Sequence, residues 1–207
     1  MLTLFEEPWS HWCVKTRKIM DYKKLKYRVS RVGAHDKREL IAATGQDYVP
    51  ALMEGKQIIT YANIPDYLET LAPDPSIYPN NTKGMAKAIE NWAHYRLEEV
   101  VWQYSVPDMP NTFKDDMERW VFVEMQETKR GPLEALAANR PKLEAQMARH
   151  FQILEDMLGD HKFLIAEELS LGDFAVFGAV SPLTYSGHNV PSNFSRLKAW
   201  HRIVESI

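Results

Sequence analysis

Hydrophobic and polar residues change their spacing several times over the first 70 residues of the chain. The hydrophobic run LTLF (2–5) predicts a buried strand, and YRVSRV (27–32) alternates like a strand with one face in water. Between them, residues 12–25 have the spacing of a helix. The next segments predict a helix ended by a glycine, a hairpin and a last helix, at 36–44, 51–60 and 63–70. This pattern predicts a small mixed α/β domain, which we assign to residues 1–72.

After this domain the strand pattern almost disappears. The segment LAPDPSIYPNN (71–81) contains three prolines and two asparagines, a density that predicts a linker. Beyond it, the spacing of hydrophobic residues predicts helices at 86–104, 113–130, 141–158, 170–180 and 192–206. Residues 83–207 are therefore predicted to form an all-helical second domain.

The charge balance argues against two classes of partner. Lys and Arg number 25 and Asp and Glu 28, so the net charge of −3 would attract the chain neither to nucleic acid nor to an acidic membrane. No hydrophobic run is long enough to span a bilayer, and the N-terminus lacks the pattern of a secretory signal. Cys13 is the only cysteine, which excludes an intrachain disulfide. We therefore expect a cytoplasmic protein without a membrane or nucleic-acid partner.

Chemically active side chains concentrate in PWSHWC (8–13), between the first predicted strand and the first predicted helix. Ser10 stands at the start of that helix, where a hydroxyl is favoured as an N-cap and where exposed backbone amides attract anions. Elsewhere, the histidines show no metal-ligand spacing with one another or with acids, so we expect no metal: His94, His150, His161 and His188.

Several motifs of the chain resemble those of one known family. The segment PWSHWCVKTRKIM (8–20) lies where thioredoxin-fold proteins carry C-x-x-C, and its S-x-x-C-x-K-x-R pattern resembles the start of the cytosolic glutathione S-transferases. The segment GQDYVPAL (45–52) resembles the Val-Pro turn before their third strand. FLIAEELSLGDFAVFGAV (163–180) and FSRLKAWHRI (194–203) resemble their C-terminal signature and last helix. The resemblance implies a thioredoxin-like N-terminal domain followed by a helical bundle, and it assigns no class within the family.

The resemblance also implies an enzyme that adds the glutathione thiolate to a small apolar electrophile. Ser10 would be the catalytic residue, because its hydroxyl can donate a hydrogen bond to the sulfur anion. Holding a thiol ionised well below pH 7 requires a shift of ~2 pKa units, or ~2.7 kcal/mol. A hydroxyl contributes about 1.5–3 kcal/mol and the helix start about 0.3–1 kcal/mol, so no separate base is required.

The resemblance also implies substrate-binding roles for further residues. Val49-Pro50 is expected to be a cis peptide whose backbone pairs with the cysteinyl group of glutathione. Thr60 and Tyr61 fall where family members carry an acid and a serine, so the amine of glutathione would meet no charge there. Trp9 would form a wall of the substrate pocket, His11 would face solvent at its rim, and Trp12 would be mainly a core residue. The second domain would contribute Trp102 and Tyr104.

Structural expectations follow from the same resemblance. Ser170 and Asp173 would form the reciprocal N-terminal cap of a buried helix. Arg17 would pair with a carboxylate of the second domain. The family is usually dimeric, which implies a homodimer formed through residues 62–70 and 85–104.

Two other functions remain open. The uncharged pair Thr60-Tyr61 is compatible with a non-catalytic binding module that has lost tight glutathione binding. Cys13, expected to be a packing residue, would in a third hypothesis form a mixed disulfide with glutathione, as in a glutathione-dependent thiol reductase. No second cysteine exists for dithiol chemistry.

Overall fold

The computed structural model describes residues 1–207, with the exception of the side chain of Asp160. The first domain contains β1 (Leu2–Glu6), α1 (His11–Tyr22), β2 (Tyr27–Arg31), α2 (Arg38–Thr44), β3 (Ala51–Glu54), β4 (Gln57–Thr60) and α3 (Ile64–Leu71). Its sheet has the strand order β2-β1-β3-β4. β1 runs parallel to β2 and antiparallel to β3, which is antiparallel to β4.

Helices cover both faces of this sheet, and its central strand β1 is therefore buried along its whole length. Leu4 belongs to the main core together with Ile19 of α1, whereas Phe5 points to the opposite face and packs in a cluster with Leu40 of α2. A strand covered on both faces requires a continuous hydrophobic run, as in LTLF. Gly45 ends α2 with a φ of 71°, the left-handed conformation that favours glycine, as the sequence predicts.

The second domain consists of helices among the described residues. They are α4 (Lys83–Trp92), α5 (Glu98–Ser105), α6 (Asp116–Arg130), α7 (Leu133–Ala138), α8 (Arg140–Asp160), α9 (Leu171–Tyr185) and α10 (Ser195–Glu205). The short helix α7 was not predicted, and α9 continues five residues beyond its predicted end. No helix in the described part of the chain is both long and apolar enough to cross a membrane. A thioredoxin-like sheet domain followed by a helical domain confirms the predicted fold class.

A wide helical turn joins α4 to α5. Residues Ala93–Leu97 form a π-helix, so the predicted helix at 86–104 is continuous but contains one turn with an extra residue. This turn places His94 and Glu98 on the side of the helix that faces the start of α1, within contact of His11.

The helix α9 forms the centre of the molecule and joins the two domains. Residues 171–183 are all buried, and the contact of α9 with α1 is the most extensive between helices. Gly178 makes this contact possible, since a Cβ atom at that position would lie 2.6 Å from the carbonyl oxygen of His11 and 3.2 Å from Cβ of Lys15. The position of the active-site end of α1 is thus set by close packing on the second domain.

Asp173 binds the start of α9 to two other segments. Its Oδ2 accepts hydrogen bonds from the amide and the hydroxyl of Ser170, at 2.9 and 2.7 Å. Its Oδ1 accepts from the amide of Leu164 at 3.0 Å and from Nε1 of Trp200 at 2.9 Å. Because the carboxyl group is buried, these bonds are made in an environment without competing water.

The linker between the domains is tied to α1 by Lys23. Its Nζ donates to Oε2 of Glu69 at 2.7 Å and to the carbonyl oxygens of Ala72 and Pro75 at 2.6 and 2.8 Å. Since the ammonium group is fully buried, these acceptors supply the partners that water would otherwise provide.

Candidate active site

A cleft of about 230 Å³ opens where the end of β1 and the start of α1 meet the helices α5 and α6. It brings together five residues that the sequence placed at the site: Trp9, Ser10, His11, Val49 and Trp102. The cleft therefore lies between the two domains, next to the segment PWSHWC.

Ser10 occupies the N-cap position of α1. Its carbonyl oxygen accepts the amide of Val14 at 2.9 Å, and its own amide donates to the carbonyl oxygen of Glu7 at 3.0 Å. Its hydroxyl makes no capping hydrogen bond to the helix amides. The serine is 7% exposed at the edge of the cleft, so its hydroxyl and the free amides of α1 lie at one place.

Cys13 lies one turn further along α1 and is fully buried. Burial raises the pKa of its thiol to about 12, and the neighbouring side chain of Ser10 and backbone of Glu7 oppose this rise only in part. The thiolate is the reactive form of cysteine. The environment is that of a packing residue and gives no support to the reductase hypothesis.

The peptide bond between Val49 and Pro50 is cis, which confirms the expected conformation. Val49 lines the cleft, whereas Pro50 is buried immediately before β3 and does not line it. The chain thus presents the residue before the proline to the same space as Ser10.

The expectation that His11 faces solvent is wrong. Its side chain is only 16% exposed, with Nε2 at 3.2 Å from Nδ1 of His94 and Nδ1 at 3.4 Å from Oε1 of Glu98. Burial, together with His94 and the charges of Lys15 and Arg130, holds the pKa of His11 well below its usual value, so the ring is neutral. The physical reason for the error is the wide turn between α4 and α5, which covers the start of α1.

Besides Pro50, four residues that were expected to contact substrate do not line the cleft: Trp12, Thr60, Tyr61 and Tyr104. Trp12 packs between His94 and Tyr61, with ring centroids at 3.9 and 4.9 Å, and so is a domain-interface residue. Thr60 accepts a hydrogen bond from Asn63 at the end of β4. Tyr104 donates to Oε1 of Glu144 of α8 at 3.2 Å and does not line the cleft.

The cation that pairs across the domains is also not the expected one. Arg17 donates to Glu6 of β1, at 2.8 Å, and therefore stays within the first domain. Lys15 instead pairs with Glu90 of α4, at 2.7 Å, and its Nζ lies 4.1 Å from the ring of Trp12. The sequence gives three cations on one helix, Lys15, Arg17 and Lys18, and does not tell which of them pairs with a carboxylate of the second domain.

Sequence reasoning missed the charged residues of the cleft. Glu7 and Glu98 line it and are 6% and 7% exposed, and burial raises the pKa of each to about 7. Three cations and a glutamine line it as well: Lys37, Gln126, Lys129 and Arg130. The only signal in the sequence was the pair of glutamates at the end of the buried strand β1, Glu6-Glu7.

Two tryptophans form the hydrophobic wall of the cleft. The rings of Trp9 and Trp102 lie 5.8 Å apart, and Trp9 also packs against Phe122 at 5.2 Å. Nε1 of Trp102 donates to Oε1 of Gln126 at 3.1 Å, which fixes both side chains. In the part of the chain that the structure describes, no three His, Cys, Asp or Glu residues are grouped as metal ligands.

Two family models match the chain. The N-terminal domain of glutathione S-transferase matches residues 4–76, and the C-terminal domain of glutathione S-transferase matches residues 133–202. The chain belongs to the glutathione S-transferase superfamily. Among curated proteins, none matches its sequence significantly.

Solved structures have the same fold at low sequence identity. A glutathione S-transferase of Ceriporiopsis subvermispora in complex with glutathione has a TM-score of 0.82 at 17% identity, over 99% of this chain and 96% of that one. Glutaredoxin 2 of Salmonella typhimurium in complex with glutathione has a TM-score of 0.80 at 19% identity, over 100% and 95%. A glutathione S-transferase of Rhodospirillum rubrum has a TM-score of 0.75 at 19% identity, over 100% and 89%.

Proposed function

We propose that the protein is a glutathione transferase that adds the glutathione thiolate to an electrophile in the cleft between its domains. One observation carries this proposal: the Ser10 hydroxyl makes no capping bond at the start of α1 and shares the cleft with Val49 of the cis Val49-Pro50 peptide. Membership of the superfamily and the glutathione complexes of two structural relatives support the same ligand.

In the proposed reaction, Ser10 stabilises the attacking sulfur. The hydroxyl donates to the thiolate, and the free amides of α1 add a favourable partial charge. The backbone of Val49 pairs with the cysteinyl group and fixes the sulfur beside Ser10. The sulfur then attacks the electrophile in the part of the cleft formed by α5 and α6.

Replacing Ser10 with alanine should lower kcat/KM for thiol addition at least ~10-fold, because a hydrogen bond to a charged sulfur is worth about 1.5–3 kcal/mol. The measurement is steady-state turnover with glutathione and a chromogenic aryl halide. Ser10→Thr keeps a hydroxyl and should retain more activity than Ser10→Ala. Ser30→Ala, in a serine that bonds only to Glu39 on the surface, is the matched control. Full activity of Ser10→Ala would remove Ser10 from the mechanism.

A non-catalytic binding module remains the second candidate function. It is favoured by Thr60 and Tyr61, which carry no charge and do not line the cleft. Calorimetric titration with glutathione separates the two functions. Micromolar binding supports the transferase, whereas millimolar or absent binding supports the module.

We also propose that the protein is a homodimer formed through residues 62–70 and 85–104. The proposal is supported by two large hydrophobic side chains of this region that the single chain leaves exposed: Met85 and Tyr95 are 59% and 65% exposed. Sedimentation equilibrium should give twice the chain mass of 24.0 kDa. The mass of one chain at micromolar concentration would contradict the dimer.

A further inference from the structure

A second cavity, the α10 cavity, lies between the segment that follows α9 and one face of α10. Its volume is about 560 Å³, and its lining residues come from 184–190 and from 198–205. Sites for small molecules usually have volumes of about 300–1,000 Å³. The α10 cavity shares no lining residue with the cleft beside Ser10, so it has room for a ligand of its own.

Two cationic side chains line the α10 wall of this cavity, Lys198 and Arg202. They are four residues apart, a spacing that places both on one face of the helix with about 5–6 Å between their Cβ atoms. Within residues 1–207, the side chain of Asp160 excepted, neither forms an ion pair or donates a side-chain hydrogen bond. One small anion can therefore contact both charges.

His201 belongs to the same wall and is only 6% exposed. Its ring packs against Phe177 with 4.8 Å between the centroids, and its Nε2 has no hydrogen-bond partner among the residues that the structure describes. A buried polar atom without a partner is unfavourable unless a ligand or a water molecule supplies the missing hydrogen bond. The imidazole is thus a third group that favours a ligand in the cavity.

The carboxylates around the cavity do not cancel the two positive charges. Glu205 is the one acid among the described lining residues, and it is exposed and forms no ion pair with either cation. Asp108 contacts the other wall, where its Oδ2 lies 2.7 Å from Nε2 of His188, but the same oxygen is already paired with Arg140. The net charge of the lining is therefore positive.

A phosphate group fits this lining better than a single carboxylate does. It carries close to two negative charges at neutral pH and has three acceptor oxygens, so it can bond to both cations at once. In the other wall, Asn189 adds a side-chain amide that is bonded to no described residue. The remaining volume leaves room for a small organic group attached to the phosphate.

We propose that the α10 cavity is a second ligand site, which binds the phosphate group of a small ligand through Lys198 and Arg202. Inorganic phosphate and a phosphate monoester share this chemistry. The proposal does not rest on the transferase function, because the cavity and the cleft have no lining residue in common.

Titration calorimetry of the native protein with phenyl phosphate, inorganic phosphate and phenol tests the proposal. At an ionic strength of about 0.15 M, which screens non-specific attraction, phenyl phosphate should bind about tenfold more tightly than phenol. Tighter binding of phenyl phosphate than of inorganic phosphate would assign a monoester, whereas equal or weaker binding would assign the free ion. Absence of binding by both phosphates, or no preference over phenol, would overturn the proposal.

Variants then locate the site. Lys198→Gln and Arg202→Gln should each weaken phosphate binding about tenfold, because each removes one of the two charged donors. Lys56→Gln, in the exposed turn between β3 and β4, makes the same change of charge and should leave the binding unaltered. Unchanged affinity in both α10 variants would overturn the proposal, and so would loss of binding in the cleft variant Lys129→Gln alone, which would place the phosphate beside Ser10.

Discussion

Replacing Gly178 with valine should destabilise the protein by about 3 kcal/mol, because the new side chain would overlap the backbone of His11. The first added carbon would lie 2.6 Å from that carbonyl oxygen, and backbone at the start of a helix cannot move aside as a flexible side chain does. Separation of α1 from α9 would also displace Ser10. We therefore expect loss of thiol addition in the fraction that still folds. Urea denaturation and turnover measure the two effects.

Gly84→Ala is the control for this substitution. Gly84 lies in the first turn of α4, and a Cβ atom there would have no neighbour within 4 Å. Alanine should leave the stability unchanged or raise it by up to about 1 kcal/mol. Equal stability of Gly178→Val and the unmodified protein would show that α1 and α9 can separate without consequence for the fold.

Replacing Asp173 with alanine should lower the free energy of unfolding by about 4 kcal/mol, because four buried donors would lose their acceptor. These donors belong to Leu164, Ser170 and Trp200, so the change would release the segment before α9 and the helix α10 together. Chemical denaturation measures the loss. Asp156→Ala on α8, whose carboxylate bonds only to Gln152 on the surface, should change stability by less than about 0.5 kcal/mol.

A stability change below about 1 kcal/mol for Asp173→Ala would contradict the structural role of this carboxylate. Such a result would mean that other acceptors replace Asp173 in the variant. Ser10 is remote from Asp173 in sequence and in function, so kcat/KM of the folded variant should be close to that of the unmodified protein.

The fold could be predicted from local patterns because the hydrophobic spacing of each segment matches the element it forms. LTLF is buried on both faces, and the cis Val49-Pro50 peptide follows from a short motif. The exceptions are also local in origin. The helix α9 continues past its predicted end although it contains Pro182, a residue that usually breaks a helix, and α7 is too short to have a clear period.

The site could be predicted only where its residues belong to one segment. Ser10 and Trp9 come from the motif, but His11 contacts residues 83 and 87 positions away, and no spacing in the sequence reveals such a contact. The same applies to Glu98, which enters the cleft from the second domain. Glu7 was missed for a different reason: glutamates are usually solvated, whereas Glu7 is buried in a cleft that it shares with residues of α6.

The wide turn at Ala93–Leu97 determines the directions in which the side chains of α5 project relative to those of α4. Each residue of an α-helix advances the side-chain direction by about 100°, so one extra residue redirects everything that follows it. As a result, α4 contacts α1 through Glu90, while Glu98 and Trp102 on α5 face the cleft. A regular helix of the same length would not direct its side chains both to α1 and to the cleft.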